Sequence, residues 1–186
     1  MKKNLLFIGV LCMLTSVNAQ NRYFTKTGKI GFDATTPKSP ENIDGVNKNS
    51  TCVLDSKTGD IQFSVLMKGF EFDRALMMEH FNENYAESDK FPKTVFKGVI
   101  ENNSTVNYTK DGTYPARVKG KLTMHGETKD ISTEGKISIK SGKIAVVAEF
   151  IAILADYKIE VPQLVADKVA KTAKITVDCL LDPLVK

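Results

Sequence analysis

The run Asp60-Ile-Gln-Phe-Ser-Val-Leu-Met-Lys68, followed by Gly69, Phe70-Glu-Phe72 and Asp73-Arg-Ala-Leu-Met-Met-Glu-His-Phe-Asn-Glu-Asn-Tyr85, sets the class of this chain. Ile61, Phe63, Val65 and Met67 share one parity, while Gln62, Ser64 and Lys68 share the other with Leu66 as the exception. That alternation predicts a half-buried antiparallel strand, one side on a core and the other in water. Gly69 turns the chain. A helix is predicted from Asp73, a residue suited to cap it, through Tyr85, because Leu76, Met77, His80, Phe81 and Asn84 fall on one stripe at helical spacing. Strand resumes after Phe91-Pro92. The flanking strands alternate instead of running continuously apolar, so the helix is an excursion from an antiparallel sheet and not a βαβ crossover.

Upstream, Tyr23 to Ala34 reads as a first strand, Thr35 to Gly45 as a loop by its prolines and polar residues, and Thr51 to Ser56 as a second strand. Lys57-Thr-Gly-Asp60 is a hairpin turn. Downstream the chain is a meander of Thr94 to Thr109, Thr113 to Met124, Glu127 to Ile139 and Lys143 to Ala155, with turns at Lys110-Asp-Gly112, His125-Gly126 and Ser141-Gly142. Pro162 is placed to start a short helix through Val169. Thr172 to Leu181 is a last strand, with Ile175, Val177, Cys179 and Leu181 on one face. No internal repeat or low-complexity segment interrupts this order.

The result is an all-β chain with helical excursions. Eight antiparallel strands, each with one apolar face, either stack as two sheets or close into a barrel able to hold one small ligand. Inward glycines favour a hollow barrel: Gly98 shares its face with Phe96 and Ile100, Gly120 with Val118 and Leu122, and Gly135 with Ile131 and Ile137. Glycines at bulges or strand bends would read the same way.

Two stretches carry a family resemblance. Phe70 to Lys97, with its helix and returning strand, resembles the corresponding segment of the YceI-like family of periplasmic polyisoprenoid-binding proteins. Gly120-Lys-Leu-Thr-Met-His-Gly-Glu-Thr-Lys-Asp-Ile131 resembles that family's strand, His-Gly turn and strand. One departure is Glu127, where the family usually carries an apolar residue. The resemblance runs over nearly the whole chain after residue 19, and it implies an elongated eight-stranded lipocalin-like barrel enclosing an apolar cavity. The candidate cavity wall is Phe63, Val65, Met67, Phe72, Leu76, Met77, His80, Phe81, Phe96, Ile100, Val118, Gly120, Leu122, Met124, Ile131 and Phe150.

Met1-Lys-Lys-Asn4, the apolar run Leu5 to Val17 and the small residue Ala19 before Gln20 read as a secretory signal peptide over residues 1–19. The apolar run is shorter than the roughly 20 residues of a membrane span. Leu11 before Cys12 is bulky where a lipid-modified cysteine wants a small residue. An exported, periplasmic protein without a transmembrane segment is expected, with residues 20–186 forming a single barrel domain. Of the 186 residues, 167 follow the signal, and loss of Lys2 and Lys3 leaves 24 basic against 22 acidic residues. Such a balance carries no footprint for nucleic acid. Cys52 and Cys179 share parity with inward apolar neighbours and are candidates for a disulfide in an oxidising compartment.

No motif for catalysis stands in the chain: there is no Gly-x-Ser-x-Gly elbow, no phosphate-cradling loop, no His-Glu-x-x-His and no Cys-x-x-Cys. Two histidines are too few for a metal site by spacing. His80 is read as a packing histidine on the apolar stripe, or as a contact to the polar end of a ligand. His125 is read as a turn residue against backbone. Met67, Met77, Met78 and Met124 suit a deformable wall, and Tyr85 and Tyr157 could bring hydroxyls to the rim. The expected function is binding or carrying a long apolar or amphiphilic lipid, for which the resemblance implies a polyisoprenoid such as a quinone tail or isoprenyl lipid. It needs no cofactor, no metal and no catalytic group. The alternative is a ligand-free envelope interaction module with a filled core, and a homodimer is left open.

Overall fold

Nine antiparallel strands and one short helix build residues 21–184, those that the computed structural model describes. The strands are β1 (Arg22–Thr35), β2 (Asp44–Asp55), β3 (Asp60–Leu66), β4 (Phe70–Glu71), β5 (Lys93–Ile100), β6 (Gly112–Met124), β7 (Glu127–Lys140), β8 (Lys143–Ile153) and β9 (Val169–Pro183), with α1 (Ala75–His80) between β4 and β5. Neighbours run β1-β9-β8-β7-β6-β5-β3-β2, and β2 pairs back onto β1. Eight strands therefore close into a barrel. Closure leaves none of these eight as an edge strand, though β7 before Gly135 and β8 after Ala148 face each other without ladder pairs. β4 is a ninth, two-residue strand that joins β2 through Val46↔Glu71 and Asn47↔Phe70. The expected signal peptide and Cys12 lie outside the described residues.

Two hairpins owe their geometry to short turns. His125-Gly126 has φ of +51° and +78°, and Ser141-Gly142 has +50° and +78°. Positive φ at both central residues is the turn whose twist matches a two-residue hairpin. It sets the Met124↔Glu127 and Lys140↔Lys143 pairs at the two ends of β7. β7 and β8 stay paired only as far as Gly135↔Ala148, where the Thr133 hydroxyl takes over by donating to the Glu149 carbonyl at 3.0 Å.

Four segments differ from the sequence reading. β2 begins at Asp44, inside the expected loop, because its polar Asn47 and Ser50 are satisfied at full burial: Asn47 donates to Leu66 O and accepts from the Ser50 hydroxyl. β5 stops at Ile100. The next residues leave the ladder because Asn102 and Asn103 spend their side chains on distant backbone, donating to Pro115 O at 2.9 Å and Ser56 O at 3.0 Å. α1 is one and a half turns long, starts after Arg74 with no side-chain cap from Asp73, and widens into a π turn over Phe81–Tyr85. Asn82 donates to Met78 O and accepts from the Ser88 hydroxyl there. Finally, the helix expected at Pro162 is a single 3-10 turn, Gln163–Val165, before β9 starts at Val169.

Inward side chains fill the barrel unequally along its axis. Toward one end Leu54, Ile100, Ile137, Ile144, Leu181, Cys52 and Cys179 are all 0–1 % exposed and form a solid plug. Toward the other end, where α1 and the 154–169 segment lie, the interior is hollow.

Candidate functional site: an apolar cavity in one half of the barrel

The hollow has a volume of about 390 Å³, within the usual range for a small-ligand site. Its wall is almost wholly hydrocarbon. β3 supplies Ile61, Phe63 and Val65, β5 supplies Thr94 and Phe96, and β6 supplies Val118, Leu122 and Met124. Ile131 and Thr133 of β7, Val146, Ala148 and Phe150 of β8, Ile175 and Val177 of β9, and Ile30 and Phe32 of β1 complete the ring. Met67 closes the wall beyond β3, receiving the Thr94 hydroxyl at its sulfur.

A cluster of four phenylalanines seats the helical excursion over the hollow end. Phe81 stacks on Phe32 with ring centroids 5.0 Å apart, and Phe72 and Phe70 lie 5.0 and 5.4 Å from Phe81. Phe32 meets Phe70 and Phe72 edge-on at 5.6 and 5.7 Å, the geometry that aromatic quadrupoles favour. Met77, His80 and Tyr85 reach the hollow from the same excursion, and burial pushes the Tyr85 phenol up. Glu41 and Lys168 are charged residues at the mouth, and Glu41 is paired with Arg74.

The structure also places residues of the sequence reading elsewhere. Leu76 is on the outer side of α1, 61 % exposed. Ile100 sits in the plug and does not border the hollow. Gly120 is not open space: a Cβ there would strike the Lys97 carbonyl oxygen and would stand 2.5 Å from Cα of Gly98 and 2.7 Å from Cζ of Phe96. Gly98 and Gly120 face each other in register, and the Phe96 ring covers both. Gly135 is equally crowded, by Val147 O at 2.6 Å. These glycines permit close strand approach, and the hollow lies elsewhere. Tyr157 is buried and does not line the hollow. Ile30 and Phe32 of β1 and Ile175 and Val177 of β9 also line the hollow, and only barrel closure sets β1 opposite β6 and β9 opposite β5.

His125 lines the hollow and ties its rim. Nδ1 is 2.9 Å from Tyr157 O, Nε2 is 2.7 Å from Glu87 Oε2, and the Phe91 ring packs 4.4 Å away. Next to it Glu127 forms an ion pair with Lys158 at 2.6 Å. The Lys158 ammonium holds the Glu127 carboxyl below its ordinary range. At the plug, Cys52 and Cys179 meet across β1 where Gly28 has no side chain, and a Cβ there would stand 2.5 Å from Sγ of Cys179. Both stand as free thiols in this structure. Cys52 is pushed well up by donating to Cys179 and by burial, and Cys179 is lowered by that same hydrogen bond.

Among the described residues no group of three or more His, Cys, Asp or Glu converges as a metal site, and no helix is long and apolar enough to cross a membrane.

The family model of the YceI-like domain matches residues 13–180. The chain belongs to the YceI-like family. Solved structures agree on the fold at low identity. A polyisoprenoid binding domain from Saccharophagus degradans, implicated in plant cell wall breakdown, is 12 % identical with a TM-score of 0.75, covering 88 % of this chain and 99 % of that one. Burkholderia cenocepacia BcnA is 13 % identical with a TM-score of 0.66, covering 83 % and 95 %. The Campylobacter jejuni YCEI protein is 14 % identical with a TM-score of 0.57, covering 78 % and 87 %. No curated protein matches. In this YceI-like barrel Glu127, directly after the His125-Gly126 turn, has its partner in Lys158.

Proposed function

We propose that this YceI-like barrel holds a long apolar or amphiphilic lipid, a polyisoprenoid such as a quinone tail or isoprenyl chain, and carries it in the periplasm after export on residues 1–19. The observation that supports this is the hollow itself, a cavity of about 390 Å³ walled by aliphatic, aromatic and Met side chains. The Saccharophagus domain of the same fold is named for binding a polyisoprenoid. Binding is sequestration by burial. At about 25 cal/mol per Å² of apolar surface removed from water, each added isoprene unit strengthens the complex until the wall is used up. The mouth groups His80, Tyr85 and Lys168 leave the polar end of the lipid at the rim. No bond is made or broken in this reading.

Native mass spectrometry of protein isolated from its own host, followed by organic extraction, tests it. A co-purifying lipid released by solvent is the expected result. A bare polypeptide mass, together with no uptake of added isoprenoid, would overturn it.

A further inference from the structure

On β5 the hollow gives way to the plug after Phe96, while Ile61 and Val118 of the neighbouring strands, paired with Gly98 and Ile100, still line it. The Phe96 ring is turned along the inner wall over Gly98 and Gly120, where Cβ positions would lie 2.5 and 2.7 Å from Cζ. Only because both facing residues lack side chains does the ring fit there. It is 9 % exposed, borders the hollow, and is flanked on the wall by Phe63 at 6.2 Å between centroids. Two residues farther along β5 from Gly98 the plug begins with Ile100, 1 % exposed. The two glycines thus form a niche beside the cavity, and one side chain fills it.

We infer that Phe96 is the stop that sets how long an apolar chain the barrel accepts. The inference rests on the lipid-binding reading above and deepens it. A chain entering from the α1 end runs between Phe32, Phe63 and Phe150 and ends against the Phe96 ring. Replacing Phe96 by Ala removes the ring and opens the floor over Gly98 and Gly120. The carbon removed is slightly more than one isoprene unit contains, so the longest chain that still gains affinity should grow by one unit.

The experiment is a ladder of isoprenoid alcohols of increasing length, each titrated against the parent, Phe96→Ala, Phe96→Leu and Phe150→Ala by displacement of a fluorescent fatty acid, with thermal unfolding of each protein recorded. In the parent, affinity should climb roughly tenfold or more per unit, as burial of apolar surface requires, and then level off. Phe96→Ala should level off one unit later, and Phe96→Leu should shift the same way if the alanine variant does not fold. Phe150→Ala widens the wall at a place separated along β8 from the plug residue Ile144 by Val146 and Ala148, which both line the hollow, so it should weaken all lengths and leave the plateau in place. A shared plateau in parent and Phe96 variants, with binding intact, overturns the stop and leaves lipid binding standing. No binding of any length by the folded parent overturns both.

Discussion

Nε2 of His125 lies 2.7 Å from Oε2 of Glu87, and Nδ1 of the same ring lies 2.9 Å from the carbonyl oxygen of Tyr157. One imidazole thus joins three segments: the turn after α1, the β6–β7 hairpin and the 3-10 turn after β8. Both His125 and Glu87 hold positive φ, +51° and +43°, a conformation that persists in non-glycine residues when the surroundings over-determine it. His125→Ala should strip two bonds at once and leave a buried carbonyl without its donor. The expected loss is roughly 1–3 kcal/mol, read as a lower midpoint in urea unfolding at unchanged slope. Combined with Glu87→Ala, the losses should fall short of their sum, because both changes break one contact.

The glycines of the wall predict a stability effect. Gly120→Leu drives a side chain into the Lys97 carbonyl and the Phe96 ring, and backbone cannot give way as a flexible side chain can. Destabilisation at or above the roughly 1–3 kcal/mol of an overpacked core is expected. Lys121→Leu, next door on the outer face, loses only an exposed ion pair with Asp130, and such changes stay within about 0.5 kcal/mol. Thermal unfolding of the two variants side by side would refute the close-approach account if Gly120→Leu kept the parent's Tm.

Acid should loosen the same rim. Lys158 lowers the folded pKa of Glu127 below that of the unfolded chain, so this carboxylate stabilises the fold above the ordinary carboxylate range. That contribution fades as the pH falls through the lowered value. Glu127→Gln should therefore be less stable than the parent near neutral pH and equal to it in strong acid. A Tm gap that stayed constant across that range would exclude the pair as its source.

Both thiols of the plug are inaccessible in the folded protein. A small alkylating agent should leave native Cys52 and Cys179 unmodified over hours and, after unfolding without reductant, add to both. Mass spectrometry counts the adducts. A mass without adducts after unfolding would mean that the two sulfurs had already joined.

Much of this architecture is written in local pattern. Period-two alternation in β3, β5, β6 and β9, the His-Gly and Ser-Gly turns and the polar breaks between strands depend on near neighbours alone, so eight of the strands and their antiparallel order are legible in the chain. Ends of elements are less so. Asn102 and Asn103 end β5 by bonding to backbone 13 and 47 residues away, and Asn47 lets β2 start early by finding Leu66 O.

The cavity was beyond local reading for a further reason. Ile100 and Phe96 have the same parity on the same strand, yet one is packed into the plug and the other borders empty space. Gly98 and Gly120 look like room from parity, and are filled by a ring that turns over them from two residues away. Parity says which side chains point inward. Whether inward side chains meet or leave a gap depends on how eight tilted strands bring them to a common height, and that is settled only when β2 pairs with β1 and the barrel closes.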